Sequence, residues 1–156
     1  MSGKRLRLVV AVALLLRLTA VLVSARDVAD VLRYHKLADH VLDVSWNPYQ
    51  APRLYPYPPV WVWAEAGAGW LARHAGLSFP ILIKLPVVAA DLLIVLLLGR
   101  RVSEKAAWLY ALHPVILLIT GFHGQFDALA ALAILLALFA FEDGRRDRSA
   151  LALALA

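Results

Sequence analysis

The sequence predicts an all-α membrane protein: a polytopic helix bundle whose long external first loop carries an amphipathic helix beside the membrane. Hydrophobic residues make up 62% of the 156 residues, and the mean hydropathy is +0.72. A soluble domain of this size has no core that could bury so much apolar surface. Four apolar runs approach the roughly 20 residues that a spanning helix requires. Basic residues cluster in short segments between these runs, as topology signals do.

Composition also argues against cysteine-based structure and against nucleic-acid binding. The chain has no cysteine, which excludes a disulfide framework and a thiolate metal site. Its net charge of +5 comes without a basic face or a nucleic-acid-binding motif, which argues against a nucleic-acid partner.

The predicted spans are four, followed by the start of a fifth: Leu8–Ala25, Pro80–Gly99, Ala106–Phe122, Ala128–Phe141 and Ser149–Ala156. A span that ended inside the bilayer would leave carbonyl groups without partners in lipid. We therefore expect residues 1–156 to be one transmembrane domain, the N-terminal fragment of a longer polypeptide. The first run resembles a signal peptide, but Arg17 interrupts it, which favours an uncleaved anchor followed by an exported segment.

The short apolar stretch Pro59–Leu71 decides the topology, because one more crossing inverts everything after it. If the stretch does not cross, nine basic residues face the cytoplasm and five face the outside. If it crosses, four lie inside and ten lie outside. The positive-inside rule favours the first arrangement. We therefore expect a multi-pass protein of the plasma membrane with a cytoplasmic N-terminus, an external loop Arg26–Phe79 and an external turn His123–Asp127.

Asp27–Asp43, at the start of the first loop, is predicted to form an amphipathic helix along the membrane. At 100° per residue, one face of this helix is mainly apolar. It consists of Val28, Val31, Leu32, His35, Ala38 and Leu42. Asp30 and Tyr34 are four residues apart and lie together near its boundary. A juxtamembrane helix whose acids only meet water is the alternative interpretation.

The stretch Tyr55–Trp63, YPYPPVWVW, contains three prolines and four aromatic residues. Each proline fixes its own φ and favours extended geometry in the residue before it. Together with the preceding turn Trp46–Tyr49, the stretch is predicted to form a rigid aromatic rim at headgroup depth. It is consistent either with a membrane-interface belt or with a surface on which a sugar stacks.

The second loop, Gly121–Asp127, places a titratable ring, an amide and a carboxylate within five residues: His123, Gln125 and Asp127. Its glycines allow a tight turn close to a ligand. Asp127 alternatively serves as the N-cap of a helix that begins at Ala128.

Charged residues inside the predicted spans are Arg17, Lys84 and Asp91. Such residues pair with one another or mark a functional site. For Arg17 and Asp91 we favour a buried ion network between helices. Lys84, near the outer end of its span, is a candidate phosphate contact.

Three segments in order resemble the GT-C superfamily of integral-membrane glycosyltransferases, which use polyprenyl-phosphate sugars. DVLRYHKLADHVLDVSWNPYQAPRLYPYPPVW is similar to that superfamily's first external loop. KLPVVAADLLIVLLLGRR is similar to its basic-x-Pro…Asp helix, and WLYALHPVILLITGFHGQFDALA to its second-loop element. The resemblance covers essentially the whole chain, but family members have roughly eight or more spans, whereas this chain has about four and a half.

The resemblance implies a role for each candidate residue. Asp30 corresponds to the catalytic base, with Asp27 as the fallback, and Asp127 to an acidic position that orients groups or binds a divalent metal (Mg or Mn) in some members. His123 and Gln125 correspond to positions near the lipid phosphate. Residues expected to contact substrate are Arg33, Tyr34, Tyr49, Arg53, Tyr55, Tyr57, Lys84, His123 and Gln125.

The expected reaction is inverting transfer of a hexose or mannose-like sugar from a polyprenyl phosphate to a glycan, lipid or protein acceptor on the external face. An unperturbed Asp is a weak base, with a pKa near 4, and partial burial would raise its basicity. Arg33, Arg53, Lys84 or His123 would stabilise the leaving phosphate. Two alternatives are a transporter of lipid-linked sugar and a non-catalytic or truncated, inactive membrane protein.

Overall fold

The computed structural model describes residues 3–26, 28–50 and 59–156, and within these it is helical with no strand. The elements in chain order are α1 (Gly3–Val23), α2 (Ala29–Asp43), a 3₁₀ turn (Pro48–Gln50), α3 (Pro59–Ala75), α4 (Phe79–Arg101), α5 (Glu104–Ala111), α6 (Pro114–Leu117), a π-helical segment (Leu118–His123), α7 (Asp127–Glu142) and α8 (Arg146–Ala154). The all-helical class predicted from the sequence is confirmed.

Helix α4 lies at the centre of the molecule and divides its core in two. On one side it packs with α2, α3 and the start of α7 around a cluster that includes Tyr34, Trp61 and Phe79. On the other side it packs with α1 and α5 around Val9, Val95 and the small residues of α5. The candidate site lies at one end of the bundle, where these two halves meet.

Two helices, α1 and α4, are long and apolar enough to cross a membrane. The segment from α5 to His123 qualifies as a third span if its two parts, bent by 52° at the break before Pro114, count as one. Helix α7 has 16 residues, about 24 Å at 1.5 Å per residue, which is shorter than a hydrocarbon core of about 30 Å. The four-span count, the external loop and the orientation remain predictions.

Helices α2 and α3 are joined by a surface ion cluster. Arg73 of α3 donates to both carboxylate oxygens of Asp43, at 2.6 and 2.7 Å, and to Asp39 at 2.5 Å. The hydrogen bond from Arg73 lowers the pKa of the Asp43 carboxyl below its usual value. The buried face of α2 is turned from the predicted one: Tyr34, Leu37 and Val41 are buried while Leu32 is exposed, because α2 is packed by α3 as well as α4.

Inside the bundle, Arg17 of α1 and Asp91 of α4 form an ion pair with neither side chain exposed. Arg17 also donates to the carbonyl of Ala111 at 2.7 Å, and Tyr110 donates its hydroxyl to Asp91 at 2.7 Å. Charges in a span are tolerated when they pair in this way. The predicted ion network between helices is therefore present, and it links α1, α4 and α5.

Candidate functional site

The two loops singled out in the sequence meet at one hydrogen bond. Gln125 donates from Nε2 to Asp30 Oδ2 at 2.8 Å. Asp30 lies in the first turn of α2 and Gln125 lies in the turn before α7, so the contact joins residues 95 positions apart. Both side chains are half-buried. A carboxylate held by an amide donor at the end of a helix bundle is a suitable position for a base that meets a substrate.

An aromatic wall lies beside this pair. The ring of Trp61 on α3 contacts Tyr34 edge-on, with centroids 5.4 Å apart, and lies 5.5 Å from the ring of Phe126. Tyr34 is one turn after Asp30 on α2, and Phe126 directly follows Gln125. Aromatic pairs at these separations add about 0.5–1.5 kcal/mol beyond their buried area. The wall therefore fixes both loops that carry the polar pair.

An apolar groove of about 260 Å³ opens from this wall. Val60 and Trp61 of α3 form one side, and Phe126 with Leu129 and Ala133 of α7 form part of the other. No charged side chain lines it within the described part of the chain. An aliphatic chain fits such a surface better than a polar ligand does.

Lys84 reaches the same end of the bundle from α4. Its Nζ donates to the carbonyl of Ser24 at 2.7 Å, to the hydroxyl of Ser24 at 2.8 Å and to the carbonyl of Phe122 at 2.8 Å. An ammonium has three N–H donors, so these acceptors use all of them, and the residue is fully buried. In this arrangement Lys84 has no donor left for the phosphate contact predicted for it.

The turn after the π-helical segment depends on glycine. Gly124 has a φ of +71°. This left-handed conformation favours glycine because glycine has no Cβ. A Cβ there would lie 2.7 Å from Cγ of Lys84. The backbone of the second loop thus lies directly against the lysine stem, one residue before Gln125.

Three other predicted site residues lie around this centre at the surface. Asp127 is exposed and is the first residue of α7, so it is not the N-cap; that position is held by Phe126. Asp127 borders a cavity of about 210 Å³ that Tyr110 and Thr120 also line. His123 is exposed and touches the ring of Phe122 edge-on, and Arg33 is exposed on α2.

The remaining candidates lie outside what the structure describes. Asp27, Arg53, Tyr55 and Tyr57 fall outside the described residues, as does most of the predicted proline-rich rim. Tyr49 lies in the 3₁₀ turn, and its side chain is also outside the description. Their predicted roles remain predictions.

No cluster of metal ligands surrounds Asp127 in the described structure. Among residues 3–26, 28–50 and 59–156, no three His, Asp or Glu side chains lie close enough together to hold an ion. Magnesium is often held by only one or two carboxylates together with substrate phosphates. The divalent metal predicted at Asp127 therefore stays a prediction.

Glu65 was missed as a functional candidate by the sequence reasoning. It lies one turn after Trp61 on α3, is fully buried, and neither carboxylate oxygen has a hydrogen-bond partner in the described structure. Burial raises its pKa to about 9, so it is neutral at pH 7. The available signal was its position as the one acidic residue in the apolar stretch Pro59–Leu71.

Comparison with protein families, with curated proteins and with solved structures gave no match. The likeness to GT-C enzymes therefore depends on the three sequence segments described above.

Proposed function

We propose that the chain belongs to a membrane glycosyltransferase that moves a sugar from a polyprenyl phosphate to an acceptor hydroxyl, with inversion and with Asp30 as base. The observation that carries the proposal is the 2.8 Å hydrogen bond between Gln125 and Asp30. It brings together the two loops that resemble the GT-C loops, and it does so at the residue that the resemblance assigns as base.

The chemistry requires one carboxylate on the acceptor side. The acceptor oxygen attacks the anomeric carbon, the bond to the phosphate oxygen breaks, and the carboxylate takes the hydroxyl proton. A single base opposite the leaving group suits inversion, by analogy with inverting glycosidases. Asp30 accepts from Gln125 through Oδ2, which leaves Oδ1 for the proton of the acceptor hydroxyl.

The surroundings of Asp30 offer a place for the lipid part of the substrate. The apolar groove between α3 and α7 suits the polyprenyl chain, while the buried rings of Tyr34 and Trp61 hold the elements that carry Asp30 and Gln125. The leaving phosphate needs positive charge rather than an acid. Arg33, three residues after Asp30 in the chain, and His123, two residues before Gln125, are exposed and are proposed for this role together with Arg53.

The test is transfer of radiolabelled sugar from polyprenyl phosphates in membranes that contain the complete gene product. Asp30→Asn keeps the size of the side chain and is expected to lower transfer by about 10²–10⁴-fold, the usual contribution of a general base. Gln125→Leu removes the donor and is expected to give a smaller loss. Asp147→Asn, an exposed acid on α8, is the matched control and is expected to behave as wild type.

Asp30→Asn with near wild-type transfer would remove Asp30 from the mechanism. Absence of transfer by the wild type with every donor tried would support the non-catalytic alternative.

A transporter of lipid-linked sugar is a second candidate, because a charged network lies within the spans. Arg17, Asp91 and Tyr110 are joined across three helices inside the bundle, and intramembrane charges often mark transport pathways. The pair is closed, however, with neither side chain exposed. An assay in sealed vesicles without acceptor distinguishes the two functions. A transporter moves labelled lipid between the leaflets, whereas a transferase leaves the labelled lipid in its original leaflet.

A further inference from the structure

Lys84 joins three helices at the point where both site loops begin. Its acceptors are Ser24, which directly follows the last residue of α1, and Phe122, next to the end of the π-helical segment. The hydroxyl of Ser24 accepts from Lys84 and donates to the carbonyl of Ala20 in α1 at 2.6 Å. The first loop leaves the bundle after Ser24, and the second leaves it after Phe122.

The charge of Lys84 is balanced by helix ends. In the described residues no carboxylate forms an ion pair with its ammonium. Carbonyl groups at the C-terminus of a helix carry a partial negative charge, equivalent to about half an elementary charge per helix. The ammonium lies at two such ends, so a neutral side chain of equal length would lose both the hydrogen bonds and this electrostatic stabilisation.

The loops on either side of the lysine carry the polar pair. Gly124 lies against the lysine stem and precedes Gln125. On the other side, the chain runs from Ser24 to Ala29 at the start of α2, whose first turn contains Asp30. Loss of the lysine contacts would release both loops, while α4 itself would keep its packing.

We propose that Lys84 is a positioning residue that holds the Asp30 loop and the Gln125 loop at a fixed separation, rather than a contact to substrate. The inference deepens the proposed transferase and rests on it only for its effect on activity. The separation itself can be measured whether or not the protein transfers sugar.

The experiment uses spin labels at Ala29→Cys and His123→Cys, two exposed positions in a chain without native cysteine, and double electron–electron resonance in nanodiscs. We expect one narrow distance distribution in the otherwise unaltered chain and a broadened or shifted one in Lys84→Met. Ser24→Ala removes one of the three acceptors and is expected to give an intermediate result. Lys36→Met, on the exposed face of α2, is the matched control and is expected to leave the distribution unchanged.

Transfer by Lys84→Met is expected to fall by about 100-fold, the cost of a misplacement near 1 Å, while the pH dependence of the remaining activity stays as in wild type. An unchanged distance distribution in folded Lys84→Met overturns the proposal, and so does a shifted pH profile, which would make Lys84 part of the chemistry. If Lys84→Met does not fold, Ser24→Ala tests the same contact, because it removes one acceptor of the ammonium and keeps the lysine; an unchanged distribution there has the same meaning. A distance change in a protein that shows no transfer would leave the positioning role standing and refute the proposed function.

Discussion

The ion pair between Arg17 and Asp91 makes a quantitative prediction about stability. In Asp91→Leu, Arg17 keeps its bond to the carbonyl of Ala111 but loses its carboxylate, and the hydroxyl of Tyr110 loses its acceptor. An arginine at the centre of a span costs about 2.5–3.5 kcal/mol, and one lost hydrogen bond costs about 1 kcal/mol. We therefore expect Asp91→Leu to lower the free energy of unfolding by about 4 kcal/mol.

The double variant Arg17→Met/Asp91→Leu removes both charges and replaces them with apolar side chains of similar size. Replacing a whole buried pair in this way is often neutral. We expect the double variant to lie within about 1 kcal/mol of wild type. Because this loss is smaller than the roughly 4 kcal/mol expected for Asp91→Leu alone, the two substitutions are expected to be non-additive.

The assay is equilibrium unfolding in mixed micelles, followed by far-ultraviolet circular dichroism. Thr19→Val is the control, because its hydroxyl bonds only to the carbonyl of Leu15 in its own helix and its replacement should change the free energy of unfolding by less than about 0.5 kcal/mol. A cost below about 1 kcal/mol for Asp91→Leu would show that the pair does not stabilise the bundle. A loss in the double variant equal to the sum of the losses in the two single variants would refute the coupling.

Glu65→Gln is expected to raise the free energy of unfolding at pH 7 by on the order of 3 kcal/mol. The carboxyl of Glu65 has a pKa of 4.5 in the unfolded chain, and burial raises it to about 9 in the folded protein. The wild-type free energy of unfolding therefore falls as the pH rises from 4.5 to 9. The extra stability of Glu65→Gln should disappear below pH 4.5. The hydrogen bond from Arg73 lowers the pKa of Asp43. The ion pair therefore stabilises the folded state at pH values above the ordinary pKa of an aspartate, and this stabilisation is lost as the pH falls through the lowered pKa. Arg73→Met should remove this acid dependence from the stability measured by urea titration. Trp46 and Trp63 are 76% and 51% exposed, and their ring centroids lie 5.5 Å apart. We expect both rings to lie at the lipid interface. Brominated lipids should therefore quench their fluorescence and affect the fluorescence of a Trp46→Phe/Trp63→Phe variant less.

Much of the candidate site was predictable because its residues carry unusual chemistry for their positions. Asp30 lies near the boundary of the predicted apolar face of α2 and Gln125 lies in the polar turn His123–Asp127, and the topology argument predicts that their loops share one face. The ion network of Arg17 and Asp91 was predictable for the same reason, since charges in a span must find partners.

The contacts of Lys84 were not predictable from local pattern. Its acceptors are backbone carbonyls and a serine hydroxyl at the ends of other helices, and every residue type offers such a carbonyl. Similarly, the buried face of α2 was misplaced because periodicity gives one apolar side, while packing by both α3 and α4 buries Tyr34. Contacts of this kind depend on which helices are neighbours, and the sequence does not state that locally.

The central claim, that both loops open on one membrane face, is tested most directly by cysteine labelling of intact cells. Single variants Arg33→Cys and His123→Cys expose one thiol each in a chain that has no native cysteine, with Arg146→Cys as the cytoplasmic control. We predict that an impermeant maleimide labels positions 33 and 123 from outside, and labels position 146 only after permeabilisation. Labelling of position 33 without labelling of position 123 would place the loops on opposite faces and contradict the shared site.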